Sequence, residues 1–297
     1  MQIIFGPVNS RRFGLSLGID LSPYEKICNF DCVYCELEPK KAINKQSKII
    51  SVDEIIKALE NKLKENIKFD IITLTANGEP SMYPHIKELV NKLRKINKKL
   101  LILSNASAVL NENSFEALLD IDIVKFSLDS GYEKTFKKIN RIHESIKLYE
   151  MIDKIIEFKK YFKGTLIMEV LVVKDYNDDI KEFKKLNEIF NIIKPHRIDI
   201  STIDRPPAYK VKEVDIEKLK YLSSFIEAPC FVVHRNNTIN KLDLNKDELI
   251  KLLRLRAQNE IDIKDFSENS KKILNELLKN EIIKCVDLAG MKFYKIV

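Results

Sequence analysis

Residues 69–80 read FDIITLTANGEP. The run Ile71–Leu74 is apolar but for Thr73 and stops at Gly78 and Pro80, residue types that interrupt regular structure strongly. A short run apolar on both faces is what a strand covered on both sides of a sheet needs. Helical patterns flank it. SVDEIIKALENKLKEN (51–66) offers Ser51 as N-cap with Glu54 three residues on, and sets Ile55, Ile56, Leu59 and Leu63 on one face. YPHIKELVNKLRKIN (83–97) repeats the helical spacing.

The same alternation runs outward in both directions. LSLGIDLSP (15–23), KLLILSNAS (99–107), IDIVKFSLDS (121–130), GTLIMEVLVVK (164–174) and HRIDISTIDRPP (196–207) read as strands. A polar helical stretch starts at Glu133, and helices are expected over 145–162 and 178–191. Strand–helix units in this order imply a parallel sheet with helices on its outer side. Six strands predict an α/β fold, a partial (β/α)6 barrel; an open doubly wound sheet shares the pattern. In either, chemistry gathers at the carboxyl ends of the strands. The pattern changes near residue 235. NKDELIKLLRLRA (245–257) and SENSKKILNELLKNEII (267–283) read as helices, and IIKCVDLAGMKFYKIV (282–297) as two strands about a Leu-Ala-Gly turn. We therefore expect a barrel over 1–234 and a small winged-helix-like α+β module over 235–297.

CNFDCVYC (28–35) holds three of the five cysteines. A short loop can turn Cys28, Cys32 and Cys35 toward one centre, and thiolates favour zinc or iron–sulfur centres. Structural zinc closes with four ligands, often two separated pairs, and Cys230 and Cys285 are single and distant. A [4Fe–4S] cluster held by three cysteines keeps one iron open to an outside ligand. A zinc-binding, nucleic-acid-binding regulator with a fourth His or Asp ligand is the alternative of another class.

The CxxxCxxC spacing, with Tyr34 before the last cysteine, resembles the signature of the radical S-adenosylmethionine superfamily. FGPVNSRRFGLSLGIDLSP (5–23) with KICNFDCVYCELEP (26–39) resembles the Fe–S oxidoreductase group related to wyosine-tRNA synthases, although Glu36-Leu37 replaces that group's Trp-Arg and no cysteine precedes the motif. The resemblance implies that Cys28, Cys32 and Cys35 hold a [4Fe–4S] cluster and that S-adenosylmethionine chelates its fourth iron. Reductive cleavage then yields methionine and a 5′-deoxyadenosyl radical that abstracts hydrogen from a substrate. It implies that Tyr34 lies against the adenine, that Asn77, Gly78 and Glu79 of TANGEP (75–80) meet the methionine amino group, and that strand-end polar groups bind the ribose. Candidates for the last are Ser127 and Asp129 of FSLDS, at the end of the fourth strand; Ser104 and Asn105 of LSNAS, at the mouth of the third, are further cofactor candidates, although polar residues that merely cap a strand give the same pattern. An electron donor such as ferredoxin or flavodoxin is implied as a partner.

Substrate residues are sought among charges near the strand mouths. Glu169 sits in the apolar run LIMEVLVV, where an acid is costly unless paired, so it is expected to face the barrel. Arg11, Arg12 and Arg205 suit phosphate or carboxylate, although salt bridges within the fold are the favoured reading. The formal net charge of +7 would help attract tRNA or another RNA, whose nucleobase is the expected substrate; a solvated Lys-rich surface gives the same balance. Radical modification of a peptide or small metabolite is the alternative. Residues 238–297 carry 12 Lys and Arg against 10 Asp and Glu, a thin excess for a phosphate-binding module. Five cysteines without framework spacing, no apolar run of ~18 residues and no basic-then-apolar leader in MQIIFGPVNSRRFG predict a cytoplasmic protein without membrane attachment.

Overall fold

The structure, a computed structural model, describes residues 3–10, 12–232, 242–255, 257–288 and 291–297. It opens with β1 (Ile4–Ser10), β2 (Gly14–Asp20), α1 (Val52–Leu63), β3 (Ile71–Thr75), α2 (Ile86–Leu93), β4 (Lys99–Ser104), α3 (Glu112–Leu119) and β5 (Ile123–Ser127). There follow α4 (Glu133–Asn140), α5 (Leu148–Tyr161), β6 (Thr165–Val172), α6 (Ile180–Ile193), β7 (Arg197–Thr202), α7 (Ile216–Ser223) and β8 (Cys230–Val232). One sheet runs in chain order from β1 to β8. The six expected strands, β2 to β7, are all parallel, and the short β8 continues them. β1 pairs antiparallel with β2 at the other edge.

Local chemistry explains the elements. Ser51 and Glu54 close a reciprocal capping box at the start of α1, and Ile55 and Leu59 are fully buried while Ile56 and Leu63 pack at the rim. β3 is buried along nearly its whole length because helices cover its outer face and the barrel interior its inner one.

The carboxyl-terminal residues form α8 (Lys246–Leu255), β9 (Gln258–Asn259), α9 (Glu260–Lys264), α10 (Glu268–Lys279), β10 (Ile283–Leu288) and β11 (Met291–Ile296). A short strand and a short helix are thus added to the expected helix, helix and hairpin, and the sheet order is β10-β11-β9. The expected boundary near residue 234 lies outside the described residues. The module has its own core, including Leu249, Leu252, Phe266 and Leu277, against which Val8 of β1 and Leu15 of β2 also pack.

Four polar contacts, made by Lys251, Lys62 and Arg205, link module and barrel. Lys251 pairs with Asp20, which is 1% exposed. Lys62 of α1 meets Glu248 at 2.5 Å. Arg205, one of the substrate candidates, lies at this interface: it is 2% exposed, donates to the Ala257 carbonyl, meets Asp262 at 3.0 Å, and stands 3.7 Å from Glu36 beside Cys35. Among the described residues, no helix is long and apolar enough to cross a membrane.

Candidate active site

The cysteine loop lies between β2 and α1 and has no regular structure of its own. Its position comes from three neighbours. First, Ile27 donates to the Asn77 carbonyl at 2.8 Å and accepts from the Glu79 amide at 2.7 Å, a bridge centred on Gly78. Gly78 has φ +137°, and a Cβ there would overlap the Ile27 carbonyl, so only glycine admits this approach. Second, the last carbonyls of α4, which a helix end leaves without partners, accept from the loop: Ile139 from the Val33 amide at 2.9 Å and Asn140 from the Asp31 amide at 3.1 Å. Third, Ala208 donates to the Cys35 carbonyl at 2.7 Å.

Each cysteine sulfur has a side-chain N–H donor nearby. Asn140 Nδ2 is 3.4 Å from Cys32, Lys26 Nζ 3.5 Å from Cys35, and Asn105 Nδ2 3.9 Å from Cys28. Burial pushes the Cys28 thiol up to about 12 and raises those of Cys32 and Cys35. A bare thiolate is therefore disfavoured here, and bound iron would supply the missing positive charge. Among the described residues no three His, Cys, Asp or Glu side chains converge as a single metal ion would need. A cubane differs, since each thiolate takes a different iron. Three half-buried thiols with separate polar donors fit such a group.

The strand-end residues surround this loop. Asp129, 1% exposed, accepts from Tyr34 Oη at 2.5 Å, Asn140 Nδ2 at 2.7 Å and the Leu171 amide at 2.9 Å. Its burial raises it to about 6 even against those donors. Tyr34 packs with Val33, Ile139 and Val173. Glu79 accepts from the amides of Asn105 at 2.7 Å and Ser81 at 2.9 Å, so it ties β3 to β4, and burial raises its carboxyl. Asn105 also bridges to Asn29 in the cysteine loop at 2.8 Å. Ser104 is buried and accepts from Ala106 at 3.2 Å, while Ser127 is half-buried at the end of β5, opposite Glu169 of β6.

Below this mouth a cavity of about 290 Å³ lies inside the barrel, lined by side chains of β1 to β6 and by Leu252 of the module. Arg12 and Glu169 both line it, Arg12 being paired within the fold to Asp199, whereas Arg11 lies outside the described residues. Sequence reading missed Lys125, Asp199 and Arg197, which join them. Glu169 pairs with Lys125; Asp199, fully enclosed, pairs with Arg12, lies 3.5 Å from Lys125 and 2.9 Å from Arg197. It also missed Lys26 and Asn140 beside the thiols.

A family model described as Radical SAM superfamily matches residues 25–187. A UPF0026 protein of Helicobacter pylori is 35% identical over 301 residues, covering 99% of this chain and 97% of that protein. A GTP 3',8-cyclase of Listeria monocytogenes is 29% identical over 203 residues, covering 68% of this chain and 58% of that protein. The crystal structure of a radical SAM methyltransferase from Sphaerobacter thermophilus superposes with a TM-score of 0.58 at 12% identity, over 73% of this chain and 66% of that one. That likeness is one of fold, and this chain spans about two thirds of that solved chain.

Proposed function

The chain belongs to the radical SAM superfamily, and on that premise we propose that Cys28, Cys32 and Cys35 hold the [4Fe–4S] cluster with which S-adenosylmethionine is cleaved. When bound, the cluster supplies an electron that splits the sulfonium to methionine and a 5′-deoxyadenosyl radical able to take hydrogen from a substrate. The observation that carries the assignment is that a side-chain N–H donor stands beside each of the three half-buried sulfurs. The residues around the loop then have separate tasks. Lys26, Asn105 and Asn140 place positive charge and N–H dipoles beside sulfurs that become anionic on binding iron. Asn77-Gly78-Glu79 present backbone carbonyls at the end of β3 for an ammonium group. Asp129, held by Tyr34 and Asn140, and Ser127 offer acceptors for hydroxyls. An outside donor such as a ferredoxin or flavodoxin delivers the electron.

The substrate is read as a nucleobase, in tRNA or another RNA. Support comes from the positive charge balance, from the module, which we read as winged-helix-like, and from the likeness to a protein named for acting on GTP. The compact, charged cavity favours a second reading, a small metabolite. Anaerobic reconstitution followed by dithionite tests the chemistry: about four irons per chain and release of 5′-deoxyadenosine are expected, and zinc without iron would reject it. A gel shift with total tRNA at two salt concentrations tests the substrate: a salt-sensitive shift supports RNA, and none supports the metabolite.

A further inference from the structure

Three charged side chains line the floor of the barrel cavity, Arg12 of the β1–β2 turn, Lys125 of β5 and Glu169 of β6, and Asp199 and Arg197 of β7 stand behind them through ion pairs, five charged groups in all. Three are cations, Arg12, Lys125 and Arg197, and two are carboxylates, Glu169 and Asp199. Lys125 and Asp199 are buried, at 7% and 0% exposure. Taking such groups from water is expensive, and apolar residues of like volume often give equal or better stability. Their concentration in a cavity is thus a mark of function.

Three features define the ligand. The charge among these described residues is +1, so an anion completes neutrality where a neutral or cationic ligand would not. Asp199 lies beneath the wall and braces all three cations, which holds Arg12 and Lys125 in place for a further acceptor. Glu169, 4.0 Å from Arg12, stands beside them as an acceptor for a hydroxyl or amine. Phe5, Phe13 and Leu103 complete a partly apolar wall around about 290 Å³, which suits a compact molecule.

The floor also stands in line with the cofactor mouth. Lys125 precedes Asp129 by four residues on and beyond β5, and Glu169 precedes Leu171, whose amide holds Asp129. At a rise of about 3.3 Å per residue in a strand, the floor lies on the order of 7–13 Å below the mouth. A small molecule anchored there extends its far end toward the cysteine loop.

We infer that this floor is a substrate-recognition site and that the ligand presents an oxyanion, a carboxylate or a phosphate, to Arg12 and Lys125. The word substrate rests on the proposed radical chemistry; the anion site itself does not. The test is a thermal-shift titration of the anaerobically reconstituted full chain with inorganic phosphate and, separately, acetate, at ionic strength fixed with chloride. A saturable rise in melting temperature is expected with one of them, and the better anion identifies phosphate or carboxylate chemistry. Lys125→Gln is expected to weaken binding roughly tenfold or more, the loss of one charge-assisted contact. Lys87→Gln, at an exposed pair with Glu116, is expected to leave it unchanged. Saturation by neither anion, or wild-type affinity in Lys125→Gln, overturns the inference. If Lys125→Gln fails to fold, Arg12→Gln takes its place, and the wild-type titration still decides. 5′-Deoxyadenosine release by the wild type is measured in parallel. Anion binding without release sinks the proposed chemistry and keeps the anion site; release without anion binding does the reverse.

Discussion

Gly78→Ala probes whether the cysteine loop is held by the end of β3. The glycine has φ +137°, and a methyl group there would collide with the Ile27 carbonyl. To relieve the clash the loop must lift from the strand, losing the bonds Ile27 N to Asn77 O at 2.8 Å and Glu79 N to Ile27 O at 2.7 Å. Two such bonds contribute about 1 kcal/mol each. The strained backbone adds about 1–3 kcal/mol for a residue with a Cβ. The expected loss is roughly 3–5 kcal/mol, or a fall in melting temperature on the order of 10 °C for a chain of this size. Because Cys28 follows Ile27 directly, iron uptake is expected to fall as well. Calorimetry of the metal-free chain and iron analysis after reconstitution read the two effects. A variant with wild-type melting and full iron content would refute the bridge as the support of the loop.

Asn140→Ala removes the donor shared by Asp129 and Cys32. It is expected to cost about 1–3 kcal/mol and to make the reduction potential of the loaded chain more negative; an unchanged potential in a redox titration counts against the sulfur contact. Lys251→Met leaves the buried Asp20 carboxylate without its cation and is expected to cost roughly 3–5 kcal/mol, largely recovered by adding Asp20→Asn; urea titrations of the double-mutant cycle show this, and simple additivity denies it. Burial raises Asp129 to about 6, so the folded carboxyl holds its proton more tightly than the unfolded one. Its contribution favours the fold below pH ~4 and is lost as pH rises through ~6, roughly 3 kcal/mol in all. The stability difference between wild type and Asp129→Asn should fall over that window, and a flat difference refutes the burial argument.

The six parallel strands were legible because each is a short apolar run with a polar or Pro/Gly end. β1 was not, since Gly6, Pro7, Asn9 and Ser10 carry no strand pattern and the element is fixed by pairing with β2. β8 spans only three residues, Cys230–Val232. In the site, the thiols stood out because cysteine is scarce and its spacing tight. Asn140 did not, since asparagine is common and its contact with Cys32 bridges 108 positions. Lys125 and Asp199 were readable in principle. Each interrupts an apolar strand, the same signal that marked Glu169, and their neighbours in register, Lys125 with Ile167 and Asp199 with Glu169, bring the charges to adjoining strands.

Asp20 shows why the site depends on the whole chain. It ends β2, where a lone buried carboxylate would be unfavourable. One oxygen accepts from the amides of Ser22 and Asn77 at 3.0 and 3.1 Å, which fixes both the start of the loop toward the cysteines and the start of the Asn77-Gly78-Glu79 turn. The other oxygen pairs with Lys251 of α8. A single carboxylate therefore joins the module to both backbone segments that meet at the Ile27–Gly78 bridge. The barrel sets where the strands end, but the charge that balances Asp20 arrives from outside the barrel. The module is accordingly part of the structure that shapes the cofactor mouth, whatever partner its outer face engages.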